Sequence, residues 1–259
     1  MQTLNFIWID TISDLFLRGV DVSPRGIPTL ELPQYTVKVD MRYPVLTIKE
    51  RKLNHRFMAA EAFWILSGDD TVTGIAPWNK RIAEFSDDGQ TFFGAYGPKV
   101  VGQLDYVVNK LITDPDSRQA GLTIWRENPP TTKDVPCTVA IFASIRKNKL
   151  NIHVFMRSSD VWLGLPYDVF NFSMLGHLIC ARLNDPVIEP GRLYLTAASS
   201  HLYETNFDAA RICLDSGLFS TGVATPEQLF RDPGCLMQTL KSLRNTQPGD
   251  VLRWWEWEA

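Results

Sequence analysis

The chain has 259 residues, 45% hydrophobic and 21% charged, with 26 Lys+Arg against 29 Asp+Glu. That composition is globular and long enough for a sizeable core in one domain or two, and it excludes disorder, collagen and coiled coil. The net charge of −3 argues against a protein that lives on nucleic-acid phosphates, while a few placed arginines can still hold a small anion.

Taken in chain order, Leu4, Ile7, Trp8, Ile12, Leu15 and Phe16 fall near helical spacing over residues 4–18, with Gly19 as a stop. Residues 20–30 read as a loop carrying one exposed cation, Arg25. Residues 34–49 alternate loosely and read as strand. A helix follows from His55 to Ser67, ended by Gly68, and an amphipathic one spans Val101 to Ile112. Residues 137–146 and 150–157 flank Lys147-Asn148-Lys149 and predict a hairpin. Ser158 to Pro166 is a polar, Gly/Pro-containing connection before an apolar run, Val169 to Leu183, long enough for a buried helix. Residues 192–197 read as another strand, and Ser199-Ser200-His201 as the opening of a final helix. No repeat, low-complexity tract or linker interrupts this order, so residues 1–259 are expected to form one mixed α/β (α+β) domain.

Four cysteines, Cys137, Cys180, Cys213 and Cys235, lack CxxC pairing and lack His at ligand spacing, which predicts reduced thiols and no metal site. The N-terminal stretch has Asp10 and Asp14 in place of a basic start, and no run of about 18 uncharged apolar residues exists, so a cytoplasmic protein without membrane contact is expected.

Two segments carry chemistry. Cys137 follows Pro136 at the start of a predicted strand, and from position alone it reads as a buried packing thiol or as a nucleophile. The second role needs a nearby cation, because the thiolate is the reactive form. Arg157, at the far end of the paired strand, reaches Cys137 if the turn is tight. The second segment is Arg157-Ser158-Ser159-Asp160-Val161-Trp162-Leu163-Gly164-Leu165-Pro166-Tyr167-Asp168, bland as a charge pattern and specific as a spacing.

This RSxDxxLGxP run after a hairpin that begins with Pro-Cys resembles thymidylate synthase. Further ordered matches support the resemblance: Glu61 in EAFWILSGD, Trp78, Gly94-Ala95-Tyr96-Gly97, Asp116-Ser117-Arg118, Trp125, His201-Leu202-Tyr203 and Arg25. The resemblance implies that family's fold, a mixed β-sheet packed with helices whose sheet face makes a homodimer. It also implies Cys137 as nucleophile, Glu61 as the proton-moving glutamate and Arg157 as the thiol's cation. Arg25, Arg118 (lent across the dimer), Arg157 and Ser158 would bind phosphate, and His201 and Tyr203 the sugar. Tyr96 would line the substrate site. Trp78, Asp160, Leu163 and Gly164 would contact methylenetetrahydrofolate, the co-substrate.

Departures from the family pattern narrow the expectation. The base-reading position, usually Asn, is Asp168, and the position after the nucleophile, usually His, is Thr138. Both resemble the cytosine-specific phage branch, since a carboxylate accepts from a cytosine amino group and shares a proton with ring nitrogen 3. Read alone, Asp168 is also a helix-capping residue. The second arginine of the phosphate segment is Gln119, and the tail Trp254-Trp255-Glu256-Trp257-Glu258-Ala259 does not match the family's closing tail. The resemblance therefore implies one-carbon transfer to carbon 5 of dCMP, giving 5-hydroxymethyl-dCMP and tetrahydrofolate. Three alternatives stand beside it: a dCMP 5-methyltransferase, a thymidylate synthase acting on dUMP, and a non-catalytic nucleotide- or RNA-binding protein. A phage origin would place the enzyme in the host cytoplasm.

Overall fold

Leu4, Trp8, Ile12 and Leu15 are all fully buried, so one stripe of the first helix, α1 (Leu4–Arg18), faces the core. In this computed structural model, which describes residues 3–216, 222 and 224–246, the chain continues through β1 (Val20–Val22), β2 (Thr29–Asp40), α2 (His55–Leu66) and α3 (Gly97–Thr113). After these come β3 (Gly121–Thr123), β4 (Thr138–Arg146), β5 (Lys149–Met156), β6 (Ser159–Asp160), α4 (Leu165–Leu183), β7 (Glu189–Tyr203), α5 (Phe207–Asp215) and α6 (Pro233–Leu243). The tail at 254–259 lies outside the described residues.

The strands form one mixed sheet in the order β1-β2-β7-β5-β4-β3, with β6 also pairing β7. All pairs are antiparallel except β5–β7 and β6–β7. The crossover that lets β5 and β7 run parallel is α4, as parallel neighbours require. Ile141, Ile152, Val154, Leu193 and Leu195 point inward and are buried. Their outward neighbours Phe142 and Phe155 remain 41% and 46% exposed, edge to face with each other. The mixed α/β class with a sheet packed against helices is therefore observed. Among the described residues no helix is long and apolar enough to cross a membrane.

The β4–β5 hairpin forms on a two-residue connection, Lys147-Asn148, both at positive φ (51° and 59°) as a type I′ turn demands. Gly68 ends α2 at φ 78°. Four expectations need correction. The strand expected over 34–49 is β2, Thr29–Asp40: it starts before Pro33, passes a left-handed Gln34 (φ 52°), and ends where Tyr43 N–H turns back to the Asp40 carbonyl at 2.9 Å. Ser199-Ser200-His201 opens no helix. These residues continue β7 to Tyr203, because β2 on one side and β6 on the other supply ladder partners that no local signal announces. The apolar run at 169–183 is helical from Leu165, with Pro166 in the first turn where its missing N–H costs nothing. Likewise α3 begins at Gly97-Pro98, ahead of Val101.

Candidate active site

Cys137 sits immediately before β4, and Arg157 immediately after β5. The hairpin register joins them, with Arg157 N–H donating to the Cys137 carbonyl at 2.8 Å. The guanidinium turns to the backbone ahead of the thiol: Nε donates to Pro136 O at 3.0 Å and Nη2 to Val135 O at 2.8 Å. Its Nη1 donates to Ser158 Oγ at 3.2 Å, and Ser158 Oγ in turn lies 3.6 Å from Cys137 Sγ as donor. Burial pushes the Cys137 thiol above its ordinary value, while Arg157 and the Ser158 hydrogen bond pull it back down.

A cavity of about 170 Å³ lies among α2, α4 and the Gly94–Tyr96 segment, walled by Glu61, Tyr96, Asp134, Asp168 and Asn171. Its remaining wall is apolar and includes Ile82 and the 55% exposed Phe85. Burial raises the Glu61 carboxyl to about 7, and a hydrogen bond from Asn171 Nδ2 at 2.7 Å partly opposes this. Asp168 is pushed well above the carboxylate range by burial and by the neighbouring Glu61 and Asp160 carboxyls. Its carboxyl makes no hydrogen bond among the described residues. The α4 N-cap is Gly164, so the capping role open to Asp168 from sequence is not the one it takes.

Tyr96 Oη accepts from Thr138 Oγ1 at 3.0 Å and from Thr138 N–H at 3.2 Å, which fixes the phenol at the mouth of β4. Burial holds its pKa up, and the neighbouring Asp168 and Cys137 add to that. Asp160 Oδ1 accepts from Trp162 N–H and Leu163 N–H, each at 2.8 Å, and the Asp160 carbonyl accepts from Gly164 N–H at 2.9 Å. Asp160 is thus the knot that shapes the loop before α4, and it leaves Leu163 57% exposed. Its strand partner across the sheet is His201, whose ring meets Tyr203 edge-on at 5.1 Å.

The sequence-predicted residues do not all converge. Exposed Arg25 reaches Tyr203 Oη at 3.2 Å and so joins the His201–Tyr203 pair. Arg118 lies elsewhere, on a separate open cavity with Lys110, Asp114, Ser117 and Gln119. Trp78 donates its indole N–H to Arg244 O at 2.5 Å, and the Arg244 guanidinium stacks 4.6 Å from its ring. That indole face is covered in this structure by the chain's own cation. Among the described residues no cluster of His, Cys, Asp or Glu could hold a metal.

Two partners were invisible in the sequence pattern. Asn171 sits inside an apolar run and reads as helix filler, although its position three after Asp168 puts both on one helix face. Arg51 is only 9% exposed, donates to Trp162 O at 2.6 Å and lies over the Trp162 ring at 4.6 Å, bracing the loop from beneath.

Comparison with known proteins identifies the family. The thymidylate synthase family profile matches residues 7–220. The chain is 29% identical over 228 residues to a deoxyuridylate hydroxymethyltransferase of Bacillus phage SP01, covering 78% of this chain and 58% of that relative. It thus spans less than two thirds of the phage protein's length. It is 25% identical over 232 residues to the thymidylate synthase of Pseudomonas fluorescens (strain SBW25), covering 79% and 82% of the two chains. With more than half its length matched, the chain belongs to the thymidylate synthase family.

Proposed function

We propose that this chain transfers a one-carbon unit from methylenetetrahydrofolate to carbon 5 of dCMP and adds water to it, giving 5-hydroxymethyl-dCMP and tetrahydrofolate. The observation that carries the base choice is Asp168, a carboxyl without a hydrogen-bond partner among the described residues, recessed on the same wall as Glu61. A carboxyl group facing cytosine accepts from the amino group in either charge state and shares one proton with nitrogen 3. Facing uracil, it must be protonated to satisfy oxygen 4, and uracil oxygen 4 is a far weaker base than cytosine nitrogen 3. Mispairing such buried groups costs about 1–3 kcal/mol each.

In this reading Cys137 adds to carbon 6, making carbon 5 a carbon nucleophile and dividing one hard step into easier ones. Ser158, backed by Arg157, supports the thiolate. Glu61 moves protons inside the cavity, where a carboxyl poised near neutrality is effective. Arg25, Arg157, Ser158 and a partner-lent Arg118 hold the phosphate, His201 and Tyr203 the deoxyribose, and Tyr96 the reacting face. The apolar rim at Ile82 and Phe85 suits the flat ring of the folate co-substrate, which supplies the one-carbon unit. Trp78, Leu163, Gly164 and Asp160 form the rest of that side, with Arg244 lifting from Trp78 when folate enters. The half-exposed Phe142 and Phe155 give the sheet face an apolar patch for a homodimer. Residues 1–259 act as one catalytic domain.

A second reading has a specific support: the phage relative is named for hydroxymethylation of deoxyuridylate. Incubation with methylenetetrahydrofolate and either [5-³H]dCMP or [5-³H]dUMP separates the two by tritium release. Product mass separates hydroxymethyl from methyl by one oxygen atom. Release from dUMP alone overturns the cytosine reading.

A further inference from the structure

Asn171 is 4% exposed, yet only one end of its amide is satisfied. Nδ2 donates to Glu61 Oε2 at 2.7 Å, while Oδ1 is buried with no protein partner among the described residues. A buried acceptor left unpaired costs about 1–3 kcal/mol, so an amide retained in this state against the Glu61 carboxyl points to a donor that arrives with the reaction. Asn171 lines the same cavity as Glu61, Tyr96 and Asp168. The cavity wall therefore carries the Glu61 carboxyl and, hydrogen-bonded to it, a residue whose amide oxygen is buried and unpaired among the described residues.

A water about to attack carbon must keep a lone pair free, and acceptors on both of its hydrogens achieve that. We propose that Asn171 holds the water that captures the methylene group on carbon 5, accepting one of its hydrogens through Oδ1 while Nδ2 fixes Glu61 to accept the other. The water oxygen bonds to the exocyclic carbon, and the carbon–carbon π electrons move onto carbon 5. The departing proton goes to Glu61. The electron pair on carbon 5 then re-forms the 5,6 double bond as the Cys137 sulfur leaves carbon 6 as thiolate. No oxidant or reductant is needed. The assignment rests on the hydration reading of the proposed function.

The test compares Asn171→Ala and Asn171→Ser with the unmodified enzyme, using [5-³H]dCMP and methylenetetrahydrofolate, with and without 2-mercaptoethanol. Tritium release reports the steps before hydration, and hydroxymethyl product reports hydration itself. In Asn171→Ala the ratio of product to release should fall about tenfold, the worth of one hydrogen bond at the transition state. The thiol should then appear as a thioether on the exocyclic carbon. Asn171→Ser, which retains an acceptor, should recover part of the ratio. A ratio unchanged in both variants, including one where product and release fall together, overturns the role of Asn171 alone. An unmodified enzyme that releases tritium but makes only methyl product overturns the hydration reading and this inference with it.

Discussion

Ser158 Oγ stands 3.6 Å from Cys137 Sγ and is itself held by Arg157 Nη1 at 3.2 Å. The cation therefore reaches the sulfur through a hydroxyl, while its Nε and Nη2 each donate to a backbone carbonyl, of Pro136 and Val135. Burial raises the thiol, and these two residues oppose it. Because the thiolate is the reactive form, Ser158→Ala should shift the pH profile of Cys137 alkylation by iodoacetamide to higher pH. At pH 8 the alkylation rate should drop about tenfold to a hundredfold, consistent with a hydrogen bond to a charged group being worth about 1.5–3 kcal/mol. Cys137→Ser should abolish tritium release. An unshifted alkylation profile in Ser158→Ala would remove Ser158 from thiol activation.

Asp168 and Glu61 share a cavity wall, and burial together with the Glu61 carboxyl disfavours the ionisation of Asp168. Cytosine holds a shared proton at nitrogen 3 better than uracil holds one at oxygen 4, so the preference for dCMP over dUMP should widen as pH rises. Asp168→Asn replaces the proton-dependent group with a neutral amide that pairs with either base, and it should shift kcat/KM toward dUMP by about tenfold to a hundredfold. Competition between the two nucleotides across pH 6 to 9 measures both effects. A flat ratio across that range would separate base choice from the protonation of Asp168.

Glu61 ionises near 7 in the folded chain against an ordinary 4.5, with burial as the cause. The folded state thus binds the proton more tightly than the unfolded state. Its contribution to stability is fully present below about 4.5 and declines as pH rises toward 7 and beyond. Glu61→Gln keeps the shape without the ionisation, so it should raise the melting temperature at pH 8 relative to the native chain. At pH 4 the two should differ little on this account. The same variant should lose the limb of the kcat–pH profile that titrates near 7. Thermal melts at the two pH values check the first claim.

Much of this arrangement was legible because it is local. The stripe of α1, the Lys147-Asn148 turn, the Gly68 stop and the RSxDxxLGxP loop are written within a dozen residues each. The failures are non-local. Ser199 to His201 looks like a helix start in isolation and becomes strand because β2 and β6 pair with it from remote positions. Asn171 is read as filler until Glu61, 110 residues earlier, is placed against it.

Tyr96 is positioned from both sides, by Thr138 and by the glycines that flank it. A Cβ at Gly94 would stand 2.4 Å from the Asp134 carbonyl oxygen, and one at Gly97 would stand 2.4 Å from the Asp69 carbonyl oxygen. Both obstacles are backbone, so a flexible side chain cannot yield to relieve them. Gly94 N–H also donates to Asp134 Oδ2 at 2.7 Å, tying the segment to the loop that leads to Cys137. Gly97→Ala should therefore cost about 1–3 kcal/mol of stability as an overpacked site, seen as a lower urea midpoint at constant slope. Thr138→Val is nearly isosteric and removes only the Oγ1 hydrogen bond to Tyr96, leaving the backbone N–H one at 3.2 Å. It should cost about 1 kcal/mol of stability and, with Tyr96 at the reacting face as proposed, lower kcat more than it raises KM. If Thr138→Val instead raised KM at constant kcat, Tyr96 would be holding bound substrate and not serving the chemical step.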